Sequence, residues 1–503
     1  MNLLGIDVGT TGLKAVLFDS ASGRELGGGY VEYALETPGP DRAEIDPETW
    51  FSALKTAARA ALDRAGTREC AALAISSQGE SFVLLDRADK VLRPAIVWMD
   101  SRSGAECAEI EARFGRERLY HTTGDPAVDP VWLGTKLLHL RKNEPEIWRR
   151  IARIMLAEDY LVHRLTGEFR GNGALWCSTL LYDINRRDYF PEMLDFLEVS
   201  REQLPRQIAS GRAVAPIRPE IAEAIGFATP VTVVSGGMDQ ACSALGSGNV
   251  TGGTATDNTG TSFNLAASCE RAVFDRKFRL PCQLHVVDDM FLAVAWSTSG
   301  GVLLRAFRDV LGAEWAAELE RNGRNFYAEL DRLAASAPPG ANGVLMLPHL
   351  AGALCPELDA DATGAVLGLT VQTTRADLVR AMLESVACMG RANLELLKEC
   401  GVPVSSMILT GGAARSRIWN EIKAGIAGIP ARTLQQPEAG CLGAAMLAGL
   451  GIGVWPSPRA AAEAVVRAGE DFAPAAELAA AGDRIFARYQ KFYRQLKPLF
   501  KEK

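Results

Sequence analysis

With 503 residues, 48% hydrophobic and 23% charged, the chain is long enough for two or three domains around a large core. A net charge of −7 and the lack of any basic block argue against a nucleic-acid partner. Ten singly placed cysteines without C-x-x-C and five scattered histidines exclude an expected zinc site and predict the reduced thiols of a cytoplasmic protein.

The chain enters a strand at once, which predicts no signal peptide. Two apolar runs, Leu3–Ile6 and Leu13–Phe18, flank the tight segment Asp7-Val8-Gly9-Thr10-Thr11-Gly12. This predicts strand, turn, strand. Successive N–H groups in such a turn form an anion-binding nest, and Thr10, Thr11 and Lys14 add donors. Asp7 would repel a bare phosphate, so its expected partner is a metal ion or a metal-bound water. Read alone, the stretch also fits an ordinary hairpin with a polar turn. A second copy follows 251 residues later: Asn258 falls on Asp7, Gly260 on Gly9, Thr261 on Thr10 and Ser262 on Thr11. One phosphate turn opening each half predicts two related domains across a cleft.

A third strand is expected within Gly23–Tyr33, then a loop at Pro38–Pro40. Asp46 as N-cap and Pro47 at the first helical position introduce a helix with its body from Thr49 to Arg64. Cys70–Ser76 reads as a buried strand ending in the polar cluster Gln78-Gly79-Glu80, before a strand at Phe82–Leu85. Strand ends of this kind hold ligands in α/β folds, and a plain turn with a solvated Glu80 fits equally. Asp100 and Arg102 flank the next strand end; Asp100 also reads as an N-cap for a helix starting near Ser103. Residues 134–170 are expected to be mostly helical.

From Thr229 a β-branched strand leads through Ser235-Gly236-Gly237 to Asp239 and Gln240, at the start of a small-residue helix. A carboxylate at a strand end in a cleft suits a general base, and a helix N-cap is the other reading of Asp239. Further on, Phe291–Ser297 is a strand, and Gly300-Gly301 opens a helix over Val302–Val310, a place for a phosphate oxygen. Asp377–Cys400 is a long helix. Ser406–Thr410 is a strand running into Gly411-Gly412-Ala413-Ala414-Arg415-Ser416, with a helix over Trp419–Ala427. The longest uncharged apolar stretch, Cys441–Trp455, has 15 residues and four glycines, too short to span a membrane. Pro474–Lys497 is a charged helix stopped by Pro498. No Gly-Lys dipeptide and no G-x-S-x-G occur, which excludes a P-loop and a serine-hydrolase elbow.

These stretches together resemble the FGGY family of carbohydrate kinases, within the actin-like ATPase superfamily. Asp7-x-Gly9-Thr10-Thr11 is similar to its first phosphate motif and Asn258–Ser262 to its second. Gly364–Leu369 with Asp377–Glu384 resembles its C-terminal signature, and Gly411–Ser416 followed by Trp419-Asn420 its adenosine motif. The N-terminal signature is kept in Lys136-Leu137-Leu138, with His139 where the family usually has Trp.

The resemblance implies an α/β fold of two actin-like (ribonuclease H-like) domains facing a central cleft. Residues 1–245 would bind the sugar and carry the first phosphate motif, 246–455 would bind ATP, and 456–503 would form a helical tail. It implies phosphorylation of a sugar hydroxyl with ATP and Mg²⁺. Asp239 would be the catalytic base, and Asp7 and Asp239 would lie at the metal. Thr10, Thr11, Lys14, Gly260, Thr261 and Gly301 would face the phosphates; Gly411, Gly412, Ala413 and Arg415 would hold the adenosine. Gln78, Gly79, Glu80, Asp100, Asp239 and Gln240 would line the sugar site, with room beside Gly79 for a differently shaped ligand. The resemblance is greatest to the ketopentose branch, which implies D-xylulose converted to its 5-phosphate. Gln78-x-Glu80 keeps two members of a glycerol-kinase triplet, so a polyol or another short ketose is the alternative. A non-catalytic sugar sensor and an actin-like ATPase are the readings from other classes; retention of Asp7 and Asp239 argues against the sensor, and the Asp239 site with the FGGY signature against the ATPase. A homodimer is left open, and no nucleic acid or membrane is expected.

Overall fold

The computed structural model describes residues 1–228 and 230–502; Thr229, expected to open the strand before Asp239, and Lys503 in the tail lie outside the described residues. β1 (Asn2–Val8) is buried at Leu3, Leu4, Ile6 and Val8, as a strand covered on both faces must be. It pairs antiparallel with β2 (Gly12–Asp19), which pairs with β3 (Glu25–Glu32). α1 (Pro47–Ala65) starts as predicted: the Asp46 carboxylate accepts from the Glu48 N–H, and Trp50, Leu54, Ala57 and Ala61 turn inward.

β4 (Ala72–Ser77) runs parallel beside β1, but β5 (Phe82–Leu85) leaves the sheet. Between α2 (Leu133–Asn143) and α3 (Ala157–Thr166), where helix was expected, β6 (Arg153–Leu156) pairs antiparallel with β5. A four-residue apolar run carries no period long enough to separate strand from buried helix, and the partner strand decides. Glu44–Ile45 and Ala95–Ile96 complete this small sheet. β7 (Ala213–Pro216) and β8 (Thr232–Met238) close the first large sheet in the order β7-β8-β4-β1-β2-β3.

After α4 (Asp239–Gly246), the plan repeats. β9 (Thr254–Thr259), β10 (Phe263–Cys269), β11 (Cys282–Leu284) and β12 (Phe291–Ser297) precede α5 (Val302–Leu311), α6 (Phe326–Ser336) and α7 (Arg375–Glu399). β13 (Ser406–Thr410), α8 (Arg417–Ala427) and β14 (Ala431–Leu434) follow, then α9 (Ala439–Gly451), β15 (Ala468–Phe472) and α10 (Ala476–Leu496). The second sheet runs β11-β12-β10-β9-β13-β14-β15. Each half thus has an antiparallel meander on one side of its first strand and parallel strands on the other, the ribonuclease H-like order. The segment after 456 is not helix alone: β15 pairs antiparallel with β14 and extends the sheet.

α9 joins the halves. It is apolar all round and lies buried between β1, β4, β8 and α4. Gly246 and Gly443 permit the crossing of α4 and α9, since a Cβ on either would come within 1.9 Å of a carbonyl oxygen of the other helix. No helix among the described residues is long and apolar enough to cross a membrane.

Candidate active site

The end of β1 sets the centre of the site. Asp7 stands opposite Lys14 across the hairpin and opposite Ser76 on β4. The Ser76 hydroxyl donates to Asp7 Oδ1 at 2.6 Å. A Cβ on Gly440, in the first turn of α9, would lie 3.4 Å from the Asp7 carboxylate, so both halves meet here. Burial pushes the Asp7 pKa up, the Ser76 hydrogen bond opposes this, and Glu438 adds repulsion.

Asp239 begins α4, at the end of β8, and its Oδ1 accepts from the Gln240 N–H at 2.6 Å. Burial, then repulsion from Asp7, pushes its pKa up to about 7. That suits a base working near neutral pH. The β8 strand bulges between Val234 and Gly237, and the Gly236 N–H freed by the bulge donates to Glu158 Oε1 at 2.7 Å. Glu158 thereby fixes the backbone that presents Asp239, a role with no local signal in the sequence.

β4 and β8 are adjacent and parallel, so Glu80 and Asp239 emerge from the same edge of one sheet. Glu80 has φ 60°, a left-handed conformation costly for a residue with a Cβ. It is buried, and burial pushes its pKa up to about 7, opposed by the Ser178 hydroxyl and by Lys136 and reinforced by Asp239. The Ser178 and Met238 side chains border the space beside Gly79: a Cβ there would come within 3.1 Å of Ser178 Oγ and 3.4 Å of Met238 Cε.

Two residues expected at the sugar brace the framework. Gln78 Nε2 donates to the Gly9 carbonyl at 3.2 Å, and the Thr10 hydroxyl donates to Gln78 Oε1 at 3.4 Å. Asp100 accepts from the Ala43 N–H at 2.8 Å and from Arg102 Nε at 2.8 Å, inside a fully buried ion pair. Trp98 and Lys136 were missed. The Trp98 indole N–H donates to Thr10 Oγ1 at 2.9 Å. Lys136 Nζ donates to the carbonyls of Trp98 and Val131, each at 2.8 Å. Both signals existed, a tryptophan after a strand and a lysine on an apolar helix face, but core packing explained them equally well.

The second turn, Gly260-Thr261-Ser262, lies at one end of a cleft of about 490 Å³, with Gly301, Gly412, Ala413 and Arg415 along it. Gly301, expected to face the phosphates, donates its N–H to the Gly260 carbonyl at 2.7 Å. Gly411 has φ 76°, and a Cβ there would strike Asn258 Oδ1 at 2.5 Å, so only glycine brings the two motifs together. Ser416, the last residue of the adenosine motif, also lines the cleft, as do Asn325, Tyr327 and Asp331, which were missed. Thr11 stays at the first turn, where its carbonyl accepts from the Tyr33 N–H. Lys14 is paired with Glu438.

Residues 2–246 match the N-terminal domain of the FGGY family of carbohydrate kinases, and residues 218–452 match its C-terminal domain. The chain belongs to the FGGY family of carbohydrate kinases. This kinase is 33% identical over 432 residues to the xylulose kinase of Escherichia coli, with 84% of each chain covered. It is 29% identical to that of Staphylococcus epidermidis, over 99% of this chain and 97% of the other. The crystal structure of xylulose kinase from Rhodospirillum rubrum matches it with a TM-score of 0.90 and 27% identity, over 99% of this chain and 100% of that one. An FGGY kinase phosphorylates a sugar hydroxyl with ATP.

Proposed function

We propose that this kinase transfers the γ-phosphoryl group of ATP to the terminal hydroxyl of a ketopentose, D-xylulose, giving the 5-phosphate. One observation carries the reading: Asp239 and Glu80 leave the same edge of the first sheet, with Asp239 close enough to Asp7 for each to feel the other's charge. The likeness to xylulose kinases supports the choice of sugar.

In this reading Asp239 takes the proton from the attacking hydroxyl, and the Gln240 N–H holds its carboxylate in place. Glu80 accepts a hydrogen bond from a second sugar hydroxyl. Thr10, Thr11 and Lys14 face the phosphates from the first half, and Gly260 and Thr261 from the second. Gly411, Gly412, Ala413 and Arg415 form the wall for adenosine. Residues 1–245 serve the sugar and 246–455 the nucleotide, while 456–503 support the second sheet. Phosphoryl transfer demands little covalent work of the protein, so positioning and charge carry it.

Asp7 and Asp239 repel one another, and no cluster of three or more metal-ligating side chains occurs among the described residues. One or two carboxylates suit Mg²⁺, which keeps waters and phosphate oxygens as its other ligands. Asp7 and Asp239 would hold it, and it would neutralise phosphate charge. Ten singly placed cysteines without a C-x-x-C pattern support a cytoplasmic enzyme.

The test is ADP release, with Mg²⁺, across ketoses, polyols and sugar acids. D-xylulose should give the highest kcat/KM. A higher value for glycerol would move the assignment to a polyol kinase. ATP hydrolysis indifferent to every sugar would remove the kinase reading.

A further inference from the structure

The nucleotide cleft carries a feature that the phosphate and adenosine motifs do not use. Beside Ser416, α6 lines the cleft with Tyr327 and Asp331, four residues apart on one helix face. Asp331 is the only carboxylate among the described residues lining the cleft. The Ser416 hydroxyl donates to Asp331 Oδ1 at 2.6 Å and accepts from the Trp419 N–H at 3.2 Å. The hydroxyl is therefore oriented from both sides, and the acid is held in one place. Among the described residues, its second oxygen has no hydrogen-bond partner.

We infer that Asp331 reads the base: its free carboxylate oxygen accepts the 6-amino hydrogen of adenine, and the enzyme thereby discriminates against 6-oxo purines. The inference rests on the proposal that this cleft binds ATP. A carboxylate is an acceptor only and repels polyphosphate, so it belongs at the nucleoside end. Tyr327, 42% exposed, provides an aromatic face beside that acceptor. A flat ring needs both, a stacking surface and an edge contact. With the Ser416 hydroxyl on Oδ1, Oδ2 is the oxygen left to meet a ligand donor. Adenine offers its 6-amino donor, whereas hypoxanthine places an oxygen acceptor there.

The test compares ATP, ITP and 2′-deoxy-ATP as phosphoryl donors at saturating sugar, in wild type, Asp331→Asn and Ser416→Ala. Wild type should prefer ATP over ITP in kcat/KM by about tenfold to a hundredfold. Asp331→Asn, whose amide can donate to a 6-oxo group, should bring that ratio toward one, chiefly by improving KM for ITP. Ser416→Ala, which frees Oδ1, should lower the ratio less. The ratio of ATP to 2′-deoxy-ATP should not move in either variant. An unchanged ATP:ITP ratio in a folded Asp331→Asn protein overturns the inference and leaves the kinase reading intact. So does a shift in the 2′-deoxy-ATP ratio instead, which would put Asp331 on the ribose. No sugar phosphorylation with any of the three nucleotides overturns both.

Discussion

Lys14 on β2 and Glu438 at the start of α9 form an ion pair of 2.7 Å between residues 424 positions apart. The pair ties the first hairpin to the helix joining the halves. Both side chains are about one-third exposed, 35% and 31%, so the pair itself adds little stability. Lys14→Met should leave the melting temperature almost unchanged and lower kcat/KM for ATP by about tenfold to a hundredfold. Glu438→Gln should change neither the melting temperature nor the ATP kinetics. Unchanged ATP kinetics in Lys14→Met would make the lysine a strut to α9 and remove it from the phosphate site.

Asp239→Asn should fold normally and still bind ADP, as isothermal calorimetry would show. Sugar phosphorylation should fall by ~10²–10⁴-fold with loss of the base. Turnover within a factor of two of wild type would remove Asp239 from the proton transfer.

Glu80 combines a buried carboxylate with a left-handed backbone. Glu80→Ala should lower kcat/KM for the sugar by roughly tenfold to over a hundredfold, with sugar-independent ATP hydrolysis retained. Glu80→Gly should lose the same activity but prove more stable than Glu80→Ala by about 1 kcal/mol, because glycine accepts φ 60° without strain. Chemical denaturation of the two variants separates the backbone cost from the side chain's role. Equal stability would show that the turn relaxes.

Glu158 links stability to pH. Burial pushes its pKa up from 4.5 to about 7, opposed by hydrogen bonds from the Gly236 N–H and Asn172. The folded state therefore binds the proton more tightly than the unfolded chain. Its contribution is complete below pH 4.5 and is lost as pH rises to about 7. Glu158→Gln keeps an acceptor for Gly236 and cannot ionise. The melting temperature of the variant relative to wild type should rise by about 1–3 °C across that window and then level off. A flat difference between pH 4.5 and 8 would contradict the assignment.

Sugar should also draw the two halves together. The duplicated turns must approach one ATP, and closure keeps water from competing as nucleophile. X-ray scattering with D-xylulose and a non-hydrolysable ATP analogue should give a smaller radius of gyration than the free protein. Superimposable curves at saturation would exclude closure.

Features made by neighbouring residues were legible in the chain. Apolar runs around Asp7–Gly12 and Asn258–Ser262 determine two hairpins, because alternation and turn chemistry act within a few residues. Asp46 and Pro47 determine the start of α1 for the same reason. The order of motifs determined the family, hence the two halves and the proposed base at the end of β8. Tertiary structure alone decided what those side chains touch. Gln78 and Asp100 look like ligand residues in sequence, yet their polar atoms are taken by Gly9, Thr10, Ala43 and Arg102. β6 and β15 are strands only because β5 and β14 supply partners; β15 itself, Ala-Gly-Glu-Asp-Phe, has no strand pattern. The pairing of Lys14 with Glu438 and of Asp331 with Ser416 joins residues 424 and 85 positions apart. No local preference encodes such contacts; they exist because the sheets and the α4–α9 crossing bring distant backbone together.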